Sequence, residues 1–302
     1  MTILSVHHVT TYNYARPVEL GDHRMMLRPR DSFDQRLVSA SLSIEPEPAR
    51  LRWIHDVYDN CVALASFGGE TTRLRIESAI TLDHTPHGGP DFQLEERART
   101  FPFAYGFEEM PDVARAIERQ YSDPDGELDR WVRRFLQPGR PTETGELLMT
   151  MTMAIKESFS YERREQSGVQ GPLHTLSRRR GSCRDFAVLM MEAARALGLA
   201  ARFVSGYLYV PDRDIGERYQ GGGSTHAWCQ VYLPGAGWVE FDPTNGIVGS
   251  RDLIRVAVAR DPRQATPLTG SFFGTVEDEA GMTVTVTVSR APAEELARVG
   301  AR

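Results

Sequence analysis

Three side chains have the types and the order that a nucleophilic enzyme needs: Cys183, His226 and Asp242. A thiol attacks a carbonyl carbon as its thiolate, so it needs a base to take its proton and a third group to hold that base. Cys183 sits at the head of "GSCRDFAVLMMEAARALG", His226 opens "HAWCQVYL", and Asp242 ends "WVEFD". Together they would support acyl transfer: Cys183 as nucleophile, His226 as its proton partner, and Asp242 fixing the imidazole. Taken alone, Cys183 reads rather as a buried core thiol, because free cysteine is among the most buried residue types.

The chemistry therefore depends on the elements that carry these residues. With Ser182 as N-cap, Cys183 is the first helical residue and Asp185 the third, a capping-box spacing ahead of an apolar run. Phe186, Leu189, Met190, Ala193, Ala194 and Leu197 follow at three- and four-residue steps, and Gly198 stands where a left-handed cap ends a helix. This predicts a helix that begins at the cysteine and is buried on one side. The free N–H groups and positive dipole end of such a start favour a thiolate and offer donors to an oxyanion. Gly181 is expected to let the backbone approach a substrate closely.

His226 and Asp242 fall on two alternating runs either side of "PGAG", which predicts a β-hairpin. His226, Trp228, Gln230 and Tyr232 share one face of the first strand; Trp238, Glu240 and Asp242 share one face of the second. The histidine and the aspartate meet only if the loop has an odd length, for instance three residues between Leu233 and Gly237. In that register Asp242 lies diagonal to His226, within side-chain reach. A two- or four-residue loop would send them to opposite faces. A zinc site built on His226, Cys229 and Cys183 is disfavoured, since odd spacing on a strand turns His226 and Cys229 to opposite faces and no second pair of thiols exists. No metal or cofactor is expected.

The remainder of the chain frames these elements. Residues 1–85 hold short runs rich in Val, Ile, Thr and Tyr separated by turn signals, which predicts a small antiparallel β-sandwich. "HTPHGGPDF" breaks the pattern, and residues 86–145 read as a linker and helical region. Residues 146–290 read as helices followed by an antiparallel sheet, closing on "TVTVTVSR", so the fold class is α+β. Residues 291–302 read as a tail. His7, His8, His84 and His87 read as surface residues. A net charge of −6 and a pI near 5.8 give no footprint for nucleic acid or an anionic membrane. No apolar run reaches the roughly 20 residues of a membrane span, and the start lacks a signal-peptide layout. Three spaced cysteines form no disulfide framework, so a cytoplasmic setting is expected.

"GSCRDFA", "STHAWCQVYLPGAGWVEFDPTNG" and "VAVARD" resemble the bacterial transglutaminase-like superfamily over roughly residues 145 to 260. The residues that the family uses as a Cys–His–Asp triad match Cys183, His226 and Asp242. Val188 and Cys229 depart from the usual His and Val at their positions, and neither belongs to the triad. The resemblance implies a papain-like core with the cysteine helix packed on the sheet, preceded by the β-rich N-terminal domain common in bacterial members. It also implies an oxyanion stabiliser upstream of the cysteine, for which Tyr161 is the candidate beside the backbone N–H of Cys183. The expected function is a cysteine-dependent acyl transfer, with hydrolysis of a peptide or amide bond preferred because water needs no second substrate site. A protein transglutaminase with an amine acceptor, or a non-catalytic peptide-binding module on the same fold, are the alternatives. The expected partner is a peptide or protein amide substrate. The loop "PDRDIGERYQGGGST" is expected to shape access to the site.

Overall fold

The structure, a computed structural model, describes residues 2–86, 93–164, 168–210, 220 and 222–291. Six strands come first: β1 (Thr2–Leu20), β2 (His23–Arg28), β3 (Gln35–Glu45), β4 (Arg50–His55), β5 (Cys61–Ser66) and β6 (Glu70–His84). Five helices follow: α1 (Met110–Ile117), α2 (Glu127–Arg133), α3 (Thr144–Ser158), α4 (Pro172–Arg178) and α5 (Cys183–Ala196). The last long strands are β7 (Ala201–Leu208), β8 (His226–Leu233), β9 (Gly237–Asp242), β10 (Leu253–Ala259) and β11 (Glu279–Arg290). Helix α4 carried no clear periodic signal. Among the described residues no helix is long and apolar enough to cross a membrane.

The first strands form two facing sheets. One runs β11–β1–β6–β3, and the other runs β2–β5–β4 with Leu268–Thr269 on the free edge of β2. Their inner faces meet through Tyr14, Val18, Leu20, Ile44, Leu74 and Ile76 on one side and Met25, Leu27, Ala63 and Ala65 on the other. Strand β1 bulges: its pairing with β6 stops at Asn13 and resumes at Val18, and Pro17, which has no N–H to give, falls in the gap. The run "TVTVTVSR" does not join the antiparallel sheet of the C-terminal half, as its place in the sequence suggested. Strand β11, which it ends, pairs with β1 from Leu4 opposite Arg290 to Tyr14 opposite Glu279. Alternation marks a strand but carries no information about which edge it will satisfy.

Outside the sandwich the C-terminal half builds its own antiparallel sheet, the second sheet, in the order β9–β8–β7–β10 with Ile247–Val248 outside β9. Ala227, Cys229, Val231 and Leu233 of β8 face α5, together with Val239 and Phe241 of β9. The opposite face carries Val204, Leu208, Trp228, Leu253 and Val258. The sandwich packs against this sheet as well, with Leu4, Val6, Ile80 and Leu82 against Tyr207, Tyr209, Ile254 and Val256. This contact also corrects the reading of two histidines. His8 and His84 are buried rather than on the surface, with His8 bonded through Nδ1 to the Tyr207 hydroxyl at 2.9 Å and His84 through Nε2 to the Leu253 carbonyl at 3.2 Å. Burial, with His7 nearby, pushes the His8 imidazole down to about 4, so it is neutral at physiological pH. His7 is exposed, and His87 lies outside the described residues.

Helix α5 is buried nearly all round, not on one side, because α2, α3 and α4 cover what the sheet does not. Its polar residues survive this by pairing. Glu192 and Arg195 have fully buried side chains joined at 2.7 Å. Glu192 also accepts the Gln120 N–H at 3.1 Å, and Arg195 donates to the carbonyls of Ala116, Ala201 and Arg260 at 2.8–3.0 Å. Removing one partner strands the other charge, so Glu192→Ala should lower the unfolding free energy by about 3–5 kcal/mol. Urea denaturation checks this, and a change below about 0.5 kcal/mol would contradict it.

Candidate active site

The start of α5 is fixed by one carboxylate. Asp185 accepts the backbone N–H of Ser182 at 2.8 Å and its hydroxyl at 2.9 Å, closing the expected capping box. It also accepts the Gln170 N–H at 2.7 Å and the Gln170 side-chain amide at 2.9 Å, with the Arg164 guanidinium at 3.5 Å. Burial pushes the Asp185 carboxyl up, but the hydrogen bonds from Gln170 and Ser182 outweigh it and hold the group below the usual carboxylate range. The Gly181 expectation changes accordingly. A Cβ there would lie 2.9 Å from the Asp185 Cβ and 3.3 Å from Gln170 Nε2, so the close approach that Gly181 permits is to this cap. At the other end Gly198, at φ +76°, is the left-handed cap, with Leu199 N bonded to Ala194 O and Gly198 N to Arg195 O.

The hairpin has the odd loop that the site requires. Leu233 pairs with Gly237 across three residues, and Cys229 pairs with Phe241. Asp242 thus lies diagonal to His226, and His226 Nε2 meets Asp242 Oδ2 at 2.8 Å with both side chains fully buried. Asp242 Oδ1 accepts the Thr244 N–H at 2.9 Å, and Oδ2 also accepts the Asn245 side-chain amide at 2.8 Å. Burial pushes the Asp242 carboxyl up, and the His226 charge and these bonds more than reverse it, so it stays below the ordinary range. Burial pushes the His226 imidazole down, but the Asp242 charge and hydrogen bond, with a further contribution from Cys183, carry it up to about 10.

Cys183 therefore adjoins the His226 ring, although the buried Nδ1 closes no regular hydrogen bond. Nucleophile–base pairs are commonly this loose without substrate. Trp228 lies under the imidazole, ring centroids 5.9 Å apart and planes 28° from parallel. Gly206, paired across from His226, makes room for it: a Cβ there would lie 2.8 Å from the Trp228 ring and 2.0 Å from Ile254 O. Tyr161 pairs with Gly181 in a short parallel ladder, which brings it beside Cys183. Burial, then the charge at Cys183, push its phenol up to about 12, so it keeps its proton and can donate.

Cys229 is apart from this group, on the α5 side of the sheet, with Sγ donating to Phe241 O at 3.6 Å and burial pushing its thiol up. Among the described residues no cluster of three His, Cys, Asp or Glu side chains could hold a metal. Asn245 is the residue that motif reading quoted but gave no role. Besides Asp242 it approaches His226 Nε2 at 3.4 Å and accepts the Gln220 N–H at 2.7 Å through Oδ1. Its signal was an amide three residues after the aspartate, just past an Asp-Pro-Thr turn. Most of the access loop, including residues 211–219 and 221, lies outside the described residues.

Residues 4–83 match the bacterial transglutaminase-like N-terminal region, and residues 130–243 match the transglutaminase-like superfamily. Uncharacterised proteins of Mycobacterium tuberculosis (strain ATCC 25618 / H37Rv) and Mycobacterium bovis are each 31% identical over 306 residues, covering 96% of this chain and 92% of their own length. The chain belongs to the transglutaminase-like superfamily. The crystal structure of a candidate cysteine protease from Cytophaga hutchinsonii superposes with a TM-score of 0.71 at 19% identity, covering 97% of this chain and 91% of that one. Its α+β architecture is thus shared at low identity.

Proposed function

We propose that this transglutaminase-like protein is a cysteine-dependent acyl-transfer enzyme that hydrolyses a peptide or amide bond. The observation that carries the reading is the buried His226–Asp242 hydrogen bond at 2.8 Å beside a cysteine at a helix start. Cys183 Sγ, its proton passed to His226, attacks the amide carbonyl carbon and forms a tetrahedral oxyanion. The backbone N–H of Cys183 and the Tyr161 hydroxyl are the donors we assign to that oxygen. Collapse breaks the C–N bond, and the amine leaves with the proton from His226, giving an acyl-thioester on Cys183. His226 then takes a proton from water, whose oxygen displaces the thiol and releases the acid.

A primary amine resolving the same thioester would make the protein a transglutaminase, and every step up to the thioester is common to both. Water is favoured because the second half-reaction then needs no acceptor site. The test follows product masses after incubating the protein with a peptide library, with and without an added primary amine. Cleaved peptides, or intact peptides that have exchanged an amide for an acid with loss of ammonia, support hydrolysis, and amine-bearing peptides at intact length support transamidation. No mass change in any peptide, with the protein folded, argues for the non-catalytic peptide-binding module.

A further inference from the structure

A cavity of about 800 Å³ lies apart from the Cys183 site, where residues 30–34 of the sandwich meet the second sheet; neither Cys183, His226 nor Asp242 lines it. Its floor is a row of cross-strand partners, Arg202 opposite Gln230 and Gln230 opposite Glu240. Most charges around it are matched. Arg255 holds Glu240 at 2.6 Å and Asp34 at 3.2 Å, Arg30 holds Asp59 at 2.6 Å, and Asp31 accepts the Leu37 N–H at 2.7 Å.

Arg202 is the exception. Its Nε donates to Gln230 Oε1 at 2.7 Å, and its guanidinium lies 4.1 Å over the Trp238 ring. Among the described residues no carboxylate comes within ion-pair distance of it, so its terminal Nη groups are left to the cavity that it lines. Burial, with Arg255 and Arg30 nearby and only Glu240 opposing, pushes its proton affinity down to about 9, the response of a cation short of a counter-charge. Stacking on an aromatic ring and one fixed Nε hold the planar fork in the orientation that a carboxylate takes bidentately. Beside it stand the apolar surfaces of Trp238, Phe33, Val256 and Val258.

We propose that this cavity binds a small organic acid, its carboxylate paired with Arg202 and an adjoining apolar group seated against Trp238 and Phe33. A free N-acyl amino acid and the last residue of a peptide share this chemistry. The site stands independently of the reaction at Cys183, and its test needs no turnover. Calorimetry with N-acetylphenylalanine should show saturable binding with a Kd of about 1 mM or tighter. The corresponding carboxamide, which lacks the charge, should bind at least about tenfold more weakly. Arg202→Met should remove acid binding, Arg202→Lys should weaken it, and Cys183→Ala should leave it unchanged.

The comparison of acid with amide on the wild-type protein holds even if an Arg202 variant fails to fold. A tripeptide ending in phenylalanine, free or amidated at its C-terminus, separates the sources. Binding of its free form assigns the site to peptide ends, and binding of the N-acyl amino acid alone assigns it to a free acid. Equal binding of acid and amide, no binding of either, or acid binding retained in folded Arg202→Met would overturn the proposal.

Discussion

Replacing Cys183 by Ala is expected to lower turnover of any amide substrate about a millionfold, to the level of the uncatalysed reaction plus what binding alone supplies. The size follows from the route. Without Sγ there is no thioester, and His226 has no nucleophile to deprotonate. The substitution removes one atom at a nearly buried position whose helix start is held by Asp185, so the fold should be retained. Turnover and circular dichroism are read on the same sample. Activity within about tenfold of wild type in the folded variant would remove Cys183 from the mechanism.

The second large effect is at Asp242. Asp242→Asn keeps the shape but loses the charge that sustains the imidazolium and its tautomer, and kcat/KM should fall about a thousand- to ten-thousandfold. The pH profile should move as well. In the wild type His226 must hold a proton to give to the leaving amine, and with its titration raised to about 10 the rate should fall as pH rises through that value. In Asp242→Asn the largest cause of the raised value is gone while burial still pushes the imidazole down, so the alkaline limb should shift to lower pH.

Stability follows the same linkage. The raised His226 contributes stability that is fully present below its ordinary value of about 6.5 and lost as pH rises through about 10. The depressed Asp242 contributes stability present above its ordinary value of about 3.9 and lost as pH falls through its folded value. The stability lost in Asp242→Asn should therefore be largest at intermediate pH and shrink towards both extremes. An unchanged alkaline limb in the variant would show that Asp242 does not set the His226 proton.

Much of this site was legible because its signals are local. A cap residue, a polar third position and a C-terminal glycine delimit α5 within seventeen residues of sequence, Ser182 to Gly198 in the structure. The alternation of two short strands reduces the meeting of His226 and Asp242 to the parity of a loop, and the loop has three residues. What sequence could not supply was anything set by distant chain. Strand β11 found its edge on β1, across more than two hundred residues. His8 and His84 look like surface residues until the second sheet is laid against them. Glu192 and Arg195 look like a solvated face of α5 until Ala116, Gln120, Ala201 and Arg260 close over it. The reason for Gly181 could not be read from its neighbours, because Gln170 reaches the cap from a separate segment. Arg202 was invisible for the same reason: only the closed sheet shows that the nearby Glu240 is taken by Arg255.

The measurement that tests the central claim most directly needs no substrate: the rate of iodoacetamide alkylation at each cysteine, mapped by mass, at mildly acidic pH. With His226 as its proton partner, Cys183 should react faster than Cys61 and Cys229, and His226→Ala should slow it by at least about tenfold. If Cys183 reacts no faster than half-buried Cys61 in the wild type, or at the same rate in folded His226→Ala, the pairing of thiol and imidazole on which the proposed chemistry rests is contradicted.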